Sequence, residues 1–269
     1  MEIQRLHRPD PEEFYRDYAK PGKPVVLTGL AEDWPARAWT PAELARRQPE
    51  LEVILTPSAG PNRDKVTMAL KDYVAYLEAP DERMLYLASW SFQDGLPELL
   101  DDFTVPEYFA EDWLAEVPEE LRYQLMWIFM GPAGSGFKMH QDVGMTSAWN
   151  VQLSGSKEWV FFAPDDTPYL YGGEVDAFAP DHKKFPRYAR ATPWMATVAP
   201  GELMFTPSAW WHQTRHVETG VALTANYVDR SNHKQVLEWL ETTGNQRPLK
   251  RALAKIANQR LLAAARSKP

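Results

Sequence analysis

The chain has 269 residues, no cysteine and a formal net charge of −8, with 44% hydrophobic and 25% charged residues. This composition is that of an ordinary globular protein with enough apolar residues for a core in one or two domains. The lack of cysteine excludes disulfides, thiolate nucleophiles and zinc–thiolate sites. The negative charge disfavours general nucleic-acid binding. No apolar run is as long as a membrane span, and residues 1–20 contain no signal-like apolar core, so we expect a cytoplasmic protein without membrane attachment.

The first 124 residues mix short helices with short strands. Helical periodicity, a proline-containing capping box at residues 40–43 and local turn signals predict helices over 12–18, 40–48, 68–77 and near 106–109. Buried apolar runs predict strands over 24–27, 51–56 and 84–87. We interpret residues 1–124 as support that is integral to the fold of the residues that follow.

Residues 125–230 change to the pattern of closely spaced strands. Short strands divided by Gly, Pro or Ser are predicted over 125–130, 138–143, 147–153, 158–162, 195–198, 202–205 and 221–228. This predicts a mainly β fold, a barrel or double-sheet jelly roll with helical flanks. Residues 165–194 lack a strand pattern and form either a lid or substrate loop, or a surface excursion without a catalytic part.

Residues 231–269 return to helical periodicity, with two helices predicted. Their apolar face could pack on the barrel or on a second subunit, so a homodimer is a possible assembly. From residue 245 onwards there are seven Lys or Arg and no acidic residue. We interpret this charge run as a solvated face and do not expect nucleic acid as a partner.

His140 and Asp142, two positions apart, and His212 form the most informative pattern of the chain. Two histidines and one carboxylate are the protein ligands of the facial triad that holds non-haem Fe(II) and leaves positions open for oxygen chemistry. Alternate residues of a strand share a face, so a strand over 138–143 would let His140 and Asp142 bind one metal. His212 must then come from a different strand that folds back against the first.

The segment that ends at His212 supports this interpretation. Pro200 and Gly201 mark a turn, a short buried strand follows, and Pro207 breaks it before Trp210 and Trp211. Bulky aromatic neighbours keep a metal site dry and rigid. His216 would share the face of His212 only if the strand continued, which makes it the best spare ligand candidate.

With these residues in view, the chain resembles the Jumonji-C (JmjC) branch of the cupin superfamily, and most closely its lysyl hydroxylases. The matching motifs are Met130-Gly131-Pro132, Gly136, His140-Gln141-Asp142, residues 146–150, residues 155–159, Phe162-Ala163-Pro164, residues 200–212, residues 23–30 and Trp34-Pro35-Ala36. They span most of residues 10–230. The resemblance implies a double-stranded β-helix and an oxygenase dependent on Fe(II), 2-oxoglutarate and O2.

The same resemblance implies where 2-oxoglutarate binds. Lys157 and Thr224 match the family's basic and hydroxyl residues on the carboxylate farther from the metal, and Asn150 and Tyr86 match residues lining the same pocket. Asn226 matches one near the metal. The residues themselves agree for Lys157: it shares the mainly apolar face of a hairpin strand with Trp159 and Phe161, where an unpaired lysine needs an anion. Snorkelling to water at the barrel mouth is the alternative.

The chain departs from the family at Phe137, where the nearest relatives carry a threonine in the cosubstrate pocket. Either the local register shifts, or Lys138, Ser135 or Tyr86 supplies the missing polar contact.

Together these observations predict a hydroxylase that oxidises a side-chain carbon of a protein or peptide, of the lysine or arginine type, with succinate and CO2 as coproducts. N-demethylation uses the same chemistry and is not separated by the sequence. An oxygenase acting on tRNA or a small metabolite, a metal-binding cupin that is not an oxygenase, and a non-catalytic binding module remain alternatives.

Overall fold

A computed structural model describes residues 1–59, 64–243 and 246–266 of the chain. The strands in chain order are β1 (Arg5–His7), β2 (Val25–Thr28), β3 (Glu52–Pro57), β4 (Val66–Ala69), β5 (Leu85–Trp90), β6 (Met126–Gly131), β7 (Ser147–Ser154), β8 (Lys157–Phe162), β9 (Trp194–Val198), β10 (Leu203–Thr206), β11 (Trp211–His216) and β12 (Gly220–Tyr227). The α-helices are α1 (Pro11–Phe14), α2 (Pro41–Arg47), α3 (Leu70–Glu78), α4 (His233–Thr242) and α5 (Arg247–Arg266), and a π-helical turn over Tyr15–Ala19 continues α1.

The strands form two sheets. Nine strands make the large sheet in the order β1-β2-β10-β7-β12-β6-β5-β3-β4, and β11-β8-β9 make the small one. Every neighbouring pair is antiparallel except β1 with β2. After β6 the chain passes repeatedly between the sheets, so the predicted jelly-roll architecture with helical flanks is confirmed.

Strand β7 shows how the sequence divides the two faces of the large sheet. Trp149, Val151 and Leu153 belong to the main hydrophobic cluster, which also contains residues of α1, α2 and α3. Ala148 and Asn150, which alternate with Trp149 and Val151, face the space between the sheets. This alternation is that of a strand with apolar residues on one face and a functional cavity on the other. The N-terminal helices therefore cover the outer face of the large sheet and leave the inner face free.

The chain changes sheets at the corner between β10 and β11. Proline at 207 has no N–H for a sheet bond, which suits the end of a strand. Ala209 adopts a left-handed φ of 62°, a conformation that a non-glycine residue seldom takes. The indole of Trp210 donates to the carbonyl of Gly22 at 2.7 Å, which anchors the corner to the N-terminal region. His212 emerges directly after this corner.

The predicted strand over residues 138–143 is wrong, because a bulge interrupts its pairing. The backbone of 135–140 follows β11, with Ser135, Phe137 and His140 bonded to His216, Thr214 and His212 respectively. Three residues lead from Phe137 to His140, where the partner advances by only two. One extra residue therefore breaks the strand alternation, as a β-bulge does. A 3₁₀ turn follows over Val143–Met145.

The other helices and strands predicted from the sequence agree with the structure to different degrees. Most of the predicted helices and strands are present, but Met68 lies in β4 and not at the start of α3. Residues 165–194, all of which the structure describes, contain 3₁₀ turns and irregular chain up to the first residue of β9, and none of them lines the metal cavity described below. Their apolar side chains instead cover Val160 and Phe162 on the outer face of the small sheet. The segment is therefore not a lid on the metal side.

The two predicted C-terminal helices are present and pack on this chain. Their apolar faces form a cluster with Trp113, Leu114, Val117 and Val228. Among the described residues, no helix combines the length and apolar character needed to cross a lipid bilayer.

Candidate metal centre and active site

His140, Asp142 and His212 converge between the two sheets. Each offers one ligand atom within 4.8 Å of those of the other two, and this is the one cluster of three metal-ligating side chains among the described residues. The Oδ1 atom of Asp142 lies 3.7 Å from Nε2 of His212 and 4.0 Å from Nε2 of His140. Reciprocal backbone hydrogen bonds of 3.0 and 2.8 Å join His140 to His212. The fold brings the three groups to metal-binding distance.

Backbone carbonyls orient both imidazoles for metal binding. Nδ1 of His140 lies 2.7 Å from the carbonyl oxygen of Lys138, and Nδ1 of His212 lies 3.2 Å from that of Trp210. A carbonyl can only accept, so Nδ1 carries the proton in each ring and Nε2 keeps a free lone pair. This second hydrogen bond is what fixes ring orientation and tautomer in metal-binding histidines.

Asp142 supplies an oxygen with no protein partner. Its Oδ2 atom is buried and unpaired among the described residues. Burial raises the pKa of Asp142, while His140 and a hydrogen bond from Asn226 act in the opposite direction. An unpaired carboxylate oxygen beside two free imidazole nitrogens fits a divalent cation such as Fe(II). The positive charge of the cation would pair with the buried carboxylate, and all three side chains would gain a partner.

Aromatic rings shield the metal side of the site. The ring of His212 stacks against Phe161 and Trp159, with centroid distances of 5.4 and 5.9 Å. Burial, together with the neighbouring His140, holds the pKa of His212 well below its usual value, so this imidazole is neutral at physiological pH. A neutral imidazole is the form that coordinates a metal.

A cavity of about 450 Å³ extends from the three ligands between the sheets. All eight residues predicted as site residues line it, namely His140, Asp142, His212, Lys157, Thr224, Asn150, Tyr86 and Asn226. Lys157 and His212 come from the small sheet, and Asn150, Thr224 and Asn226 come from β7 and β12 of the large one.

Among the described residues, Lys157 is the one lysine or arginine that lines this cavity, and it is 2% exposed. No salt bridge to it occurs in the described part of the chain, and its Nζ lies 5.5 Å from the ring centre of Phe129. Burial lowers the pKa of Lys157 to about 7. Such a side chain does not snorkel to water, and an anion in the cavity would offset the cost of its burial.

Asn150 and Thr224 lie directly opposite each other on neighbouring strands. The Oδ1 atom of Asn150 is buried without a partner. The hydroxyl of Thr224 donates to the carbonyl of Trp149 at 2.7 Å, so it must rotate before it can donate to a carboxylate. Asn226 donates to Thr146 at 2.8 Å and lies on the metal side.

Phe137 occupies the place of the missing threonine without closing the cavity. Its ring lies 5.1 Å from His140, 5.5 Å from Phe129 and 5.7 Å from Tyr86, measured between centroids. The nearby hydroxyl in the cavity wall belongs to Thr214, whose Oγ1 accepts from the backbone N–H of Phe137. Of the three substitutes considered from the sequence, Tyr86 lines the cavity, whereas Lys138 and Ser135 do not.

Sequence reasoning missed several residues of the cavity wall. Thr214 follows His212 at the strand period of two and could have been found from the continuation of β11. Trp239 reaches the mouth from α4, and Tyr123 and Val143, each 50% exposed, complete its rim. No local signal connects Trp239 or Tyr123 to the metal ligands, since tertiary packing alone brings them there.

Gly136 yields a first prediction. A Cβ atom at this position would lie 2.1 Å from the carbonyl oxygen of Thr214, where only glycine lets the two backbones approach. We expect Gly136→Ala to lower the free energy of unfolding by about 2–3 kcal/mol and to weaken metal binding by displacing the segment that carries His140. Urea denaturation and metal titration measure the two effects.

Gly172→Ala is the matched control. Its Cβ meets nothing within 4 Å, and its φ of +65° costs only about 1 kcal/mol of backbone strain. Equal losses in the two variants would show that the contact with Thr214 does not matter.

Comparison with known proteins identifies the family. Residues 11–233 match the model of the cupin-like domain. The chain belongs to the cupin-like family. The resemblance of its motifs to the JmjC branch is thereby confirmed, since the similar proteins include JmjC enzymes.

Three such relatives illustrate the range. The lysine-specific demethylase JMJ21 of Arabidopsis thaliana is 35% identical over 246 residues, which cover 86% of this chain and 26% of that protein. The bifunctional arginine demethylase and lysyl-hydroxylase psr-1 of Caenorhabditis elegans is 32% identical over 82% of this chain and 59% of its own length. The 2-oxoglutarate and iron-dependent oxygenase JMJD4 of Gallus gallus is 28% identical, covering 82% and 58%. The cupin-like chain thus spans about a quarter to three-fifths of these relatives.

Proposed function

We propose that this cupin-like protein is an Fe(II)- and 2-oxoglutarate-dependent oxygenase that hydroxylates a side-chain carbon of a protein or peptide. One observation carries the proposal: a three-ligand metal cluster and a partnerless buried lysine, Lys157, line the same cavity. A metal-binding cupin that is not an oxygenase has no use for that lysine. The relatives named as oxygenases, hydroxylases and demethylases support the same class.

The cofactors would supply the oxidising chemistry, and the protein residues would bind and orient them. Bound Fe(II) and 2-oxoglutarate supply the oxidising chemistry, in which O2 converts the 2-oxo acid to succinate and CO2 and one oxygen atom enters a substrate C–H bond. His140, Asp142 and His212 would hold the metal, with both imidazoles kept in one tautomer by backbone carbonyls.

The other end of the cavity would hold the cosubstrate. Lys157 would neutralise the carboxylate farther from the metal, and Thr224 would donate to it after its hydroxyl turns away from Trp149. Tyr86 and Asn150 present further polar groups along the wall. Trp159 and Phe129 exclude water between the two ends, which strengthens each electrostatic contact inside.

The cavity wall bears on the substrate class. Asp142 is the only acidic residue among the described residues that line the cavity. A lysine or arginine substrate side chain, the type we favour, would therefore be received by aromatic faces such as those of Trp127 and Tyr123, not by carboxylates. The exposed apolar rim of Tyr123 and Val143 suits an extended peptide.

N-demethylation is the second candidate, favoured by the names of the plant and nematode relatives. Oxidation of an N-methyl carbon is the same C–H chemistry, followed by loss of the carbon as formaldehyde. The residues that line the cavity are compatible with hydroxylation and with N-demethylation.

Mass spectrometry of peptides and cell lysate tests the proposal. Incubation with Fe(II), 2-oxoglutarate and air should add one oxygen atom to a peptide and release succinate above background, and His140→Ala should do neither. Loss of a methyl group with formaldehyde would indicate demethylation. An oxidised tRNA or metabolite with unmodified peptides would contradict the substrate class, and no oxidised product of any kind would contradict the oxygenase.

Two wider expectations stay predictions. A cytoplasmic setting would be tested by fractionation of expressing cells. Homodimerisation through α4 and α5 would be contradicted by a monomer mass that does not change with concentration.

A further inference from the structure

The inner face of β11 carries a row of three polar residues, His212, Thr214 and His216. Across the small sheet they lie opposite Phe161, Trp159 and Lys157 respectively. Directly opposed residues in an antiparallel pair point to the same side, with Cβ atoms about 5 Å apart. The strand that supplies a metal ligand at one end therefore places His216 beside Lys157 at the other.

The imidazole of His216 is buried without a regular hydrogen bond. It is 1% exposed, and neither ring nitrogen has a partner among the described residues. Burial, together with the neighbouring Lys157, holds the pKa of His216 well below its usual value, and a weak contact with the backbone of Glu218 acts in the opposite direction without reversing this, so the ring is neutral. A neutral imidazole has one donor and one acceptor, and a buried imidazole with neither in a regular hydrogen bond requires an explanation.

His216 also contacts Tyr86, another polar residue at this end of the cavity. The two rings meet edge to face, with centroids 5.6 Å apart. Tyr86 in turn stacks on Phe129, whose ring lies near the ammonium of Lys157. His216 thus adjoins two of the residues that present polar groups to the far end of the cavity.

Few other charges act on Lys157. On the outer face of the small sheet, Arg215 and Glu158 neutralise each other at 2.6 Å. Strand β9 places Val198 beside Lys157, and β6 and β12 present Phe129 and Thr224. Tyr86 faces it from β5, and burial raises the pKa of that phenol, which stays neutral. The other titratable groups of the described residues that line the cavity are the three metal ligands and Tyr123 at the rim.

We propose that His216 is a positioning residue for the anion-binding end of the cavity, where its imidazole supports the ammonium of Lys157 and directs it toward a carboxylate. A neutral ring nitrogen can accept a hydrogen bond from the ammonium. The dipole of the imidazole replaces part of the hydration free energy that the ammonium loses on burial. The inference rests on the proposed function for the identity of the anion, the distal carboxylate of 2-oxoglutarate. Lys157 touches the anion, and His216 acts through Lys157.

Two substitutions separate polarity from packing. His216→Leu keeps comparable bulk and removes the polar nitrogens, whereas His216→Gln keeps a donor and an acceptor. His216→Met is a second apolar variant should the leucine variant misfold. Circular dichroism and Mn(II) affinity verify the fold and the metal end of each protein.

The measurement is the Kd of 2-oxoglutarate for the Mn(II)-loaded protein, determined by calorimetry without turnover between about pH 6 and pH 9. We expect His216→Leu to raise the Kd about tenfold at pH 7 and to make binding weaken at lower pH than in the wild type, because Lys157 loses its proton more readily. His216→Gln should stay within about twofold of the wild type.

Three results would contradict either the role of His216 or the proposed function. Unchanged binding in His216→Leu overturns the role of His216, as does equal weakening in the leucine and glutamine variants, which would indicate shape alone. A wild-type protein that binds Mn(II) but no 2-oxoglutarate overturns the proposed function instead.

Discussion

Asp142→Ala should abolish Fe(II) binding and turnover and yet make the metal-free protein slightly more stable. Loss of a partner that merely orients a ligand costs metal sites about 10–100-fold, so loss of a ligand should reduce turnover at least about a thousandfold. The stability change has the opposite sign because Asp142 buries an oxygen without a partner. Its removal should raise the free energy of unfolding by about 1 kcal/mol, measured in urea without metal.

Asp176→Ala is the matched control for this prediction. Asp176 also carries a carboxylate near β11, but it accepts hydrogen bonds from Gln213 and from the backbone of Phe178. We expect this variant to lose stability and keep iron. An Asp142→Ala protein that still binds Fe(II) stoichiometrically would remove Asp142 from the metal site.

Lys157→Met should weaken 2-oxoglutarate binding at least about a hundredfold and leave metal binding intact. The change removes a charge-assisted contact to the cosubstrate while it keeps the length of the side chain. Without ligand, the variant should be more stable by about 1–3 kcal/mol, because an unpaired buried cation is replaced by an apolar group. Calorimetry and urea denaturation measure the two effects.

The pH dependence of the wild type follows from the same residue. Burial lowers the pKa of Lys157 to about 7, whereas an unfolded lysine keeps its proton up to about pH 10.4. Between these values the unfolded state binds more protons, so the contribution of Lys157 to the free energy of unfolding rises with pH. 2-Oxoglutarate binding should show the opposite trend and weaken above pH 7, by up to about tenfold per pH unit.

Lys138→Met tests whether any nearby lysine would give these results. Lys138 is exposed and lies outside the cavity, two residues from His140. The Lys138→Met substitution should leave the Kd of 2-oxoglutarate and its pH dependence unchanged. If Lys157→Met behaved like Lys138→Met, the cosubstrate would have to bind elsewhere.

The chemistry of the site was largely predictable because it depends on residue types at short spacings. His140, Asp142 and His212 were found from the ligand preferences of Fe(II), and the structure brings them together. Lys157 was found from its place among apolar residues on one hairpin face, and its deep burial without a partner agrees with that reasoning.

The local geometry around the ligands was not predictable in the same way. Residues 138–143 have the alternation of a strand, but the extra residue between Phe137 and His140 forms a bulge against β11. A bulge depends on the register of its partner strand, which a local pattern does not contain. The contribution of Trp239 depends likewise on how α4 packs beside the turn Val143–Met145, a long-range contact.

The most direct test of the account is the absorption spectrum of the Fe(II) protein titrated with 2-oxoglutarate without oxygen. If one cavity holds the metal at His140, Asp142 and His212 and the dicarboxylate at Lys157, a metal-to-ligand charge-transfer band should appear and saturate at one equivalent. The band should be absent in Asp142→Ala and should need far more 2-oxoglutarate in Lys157→Met. No band in the wild type, or the same band in all three proteins, would contradict the account.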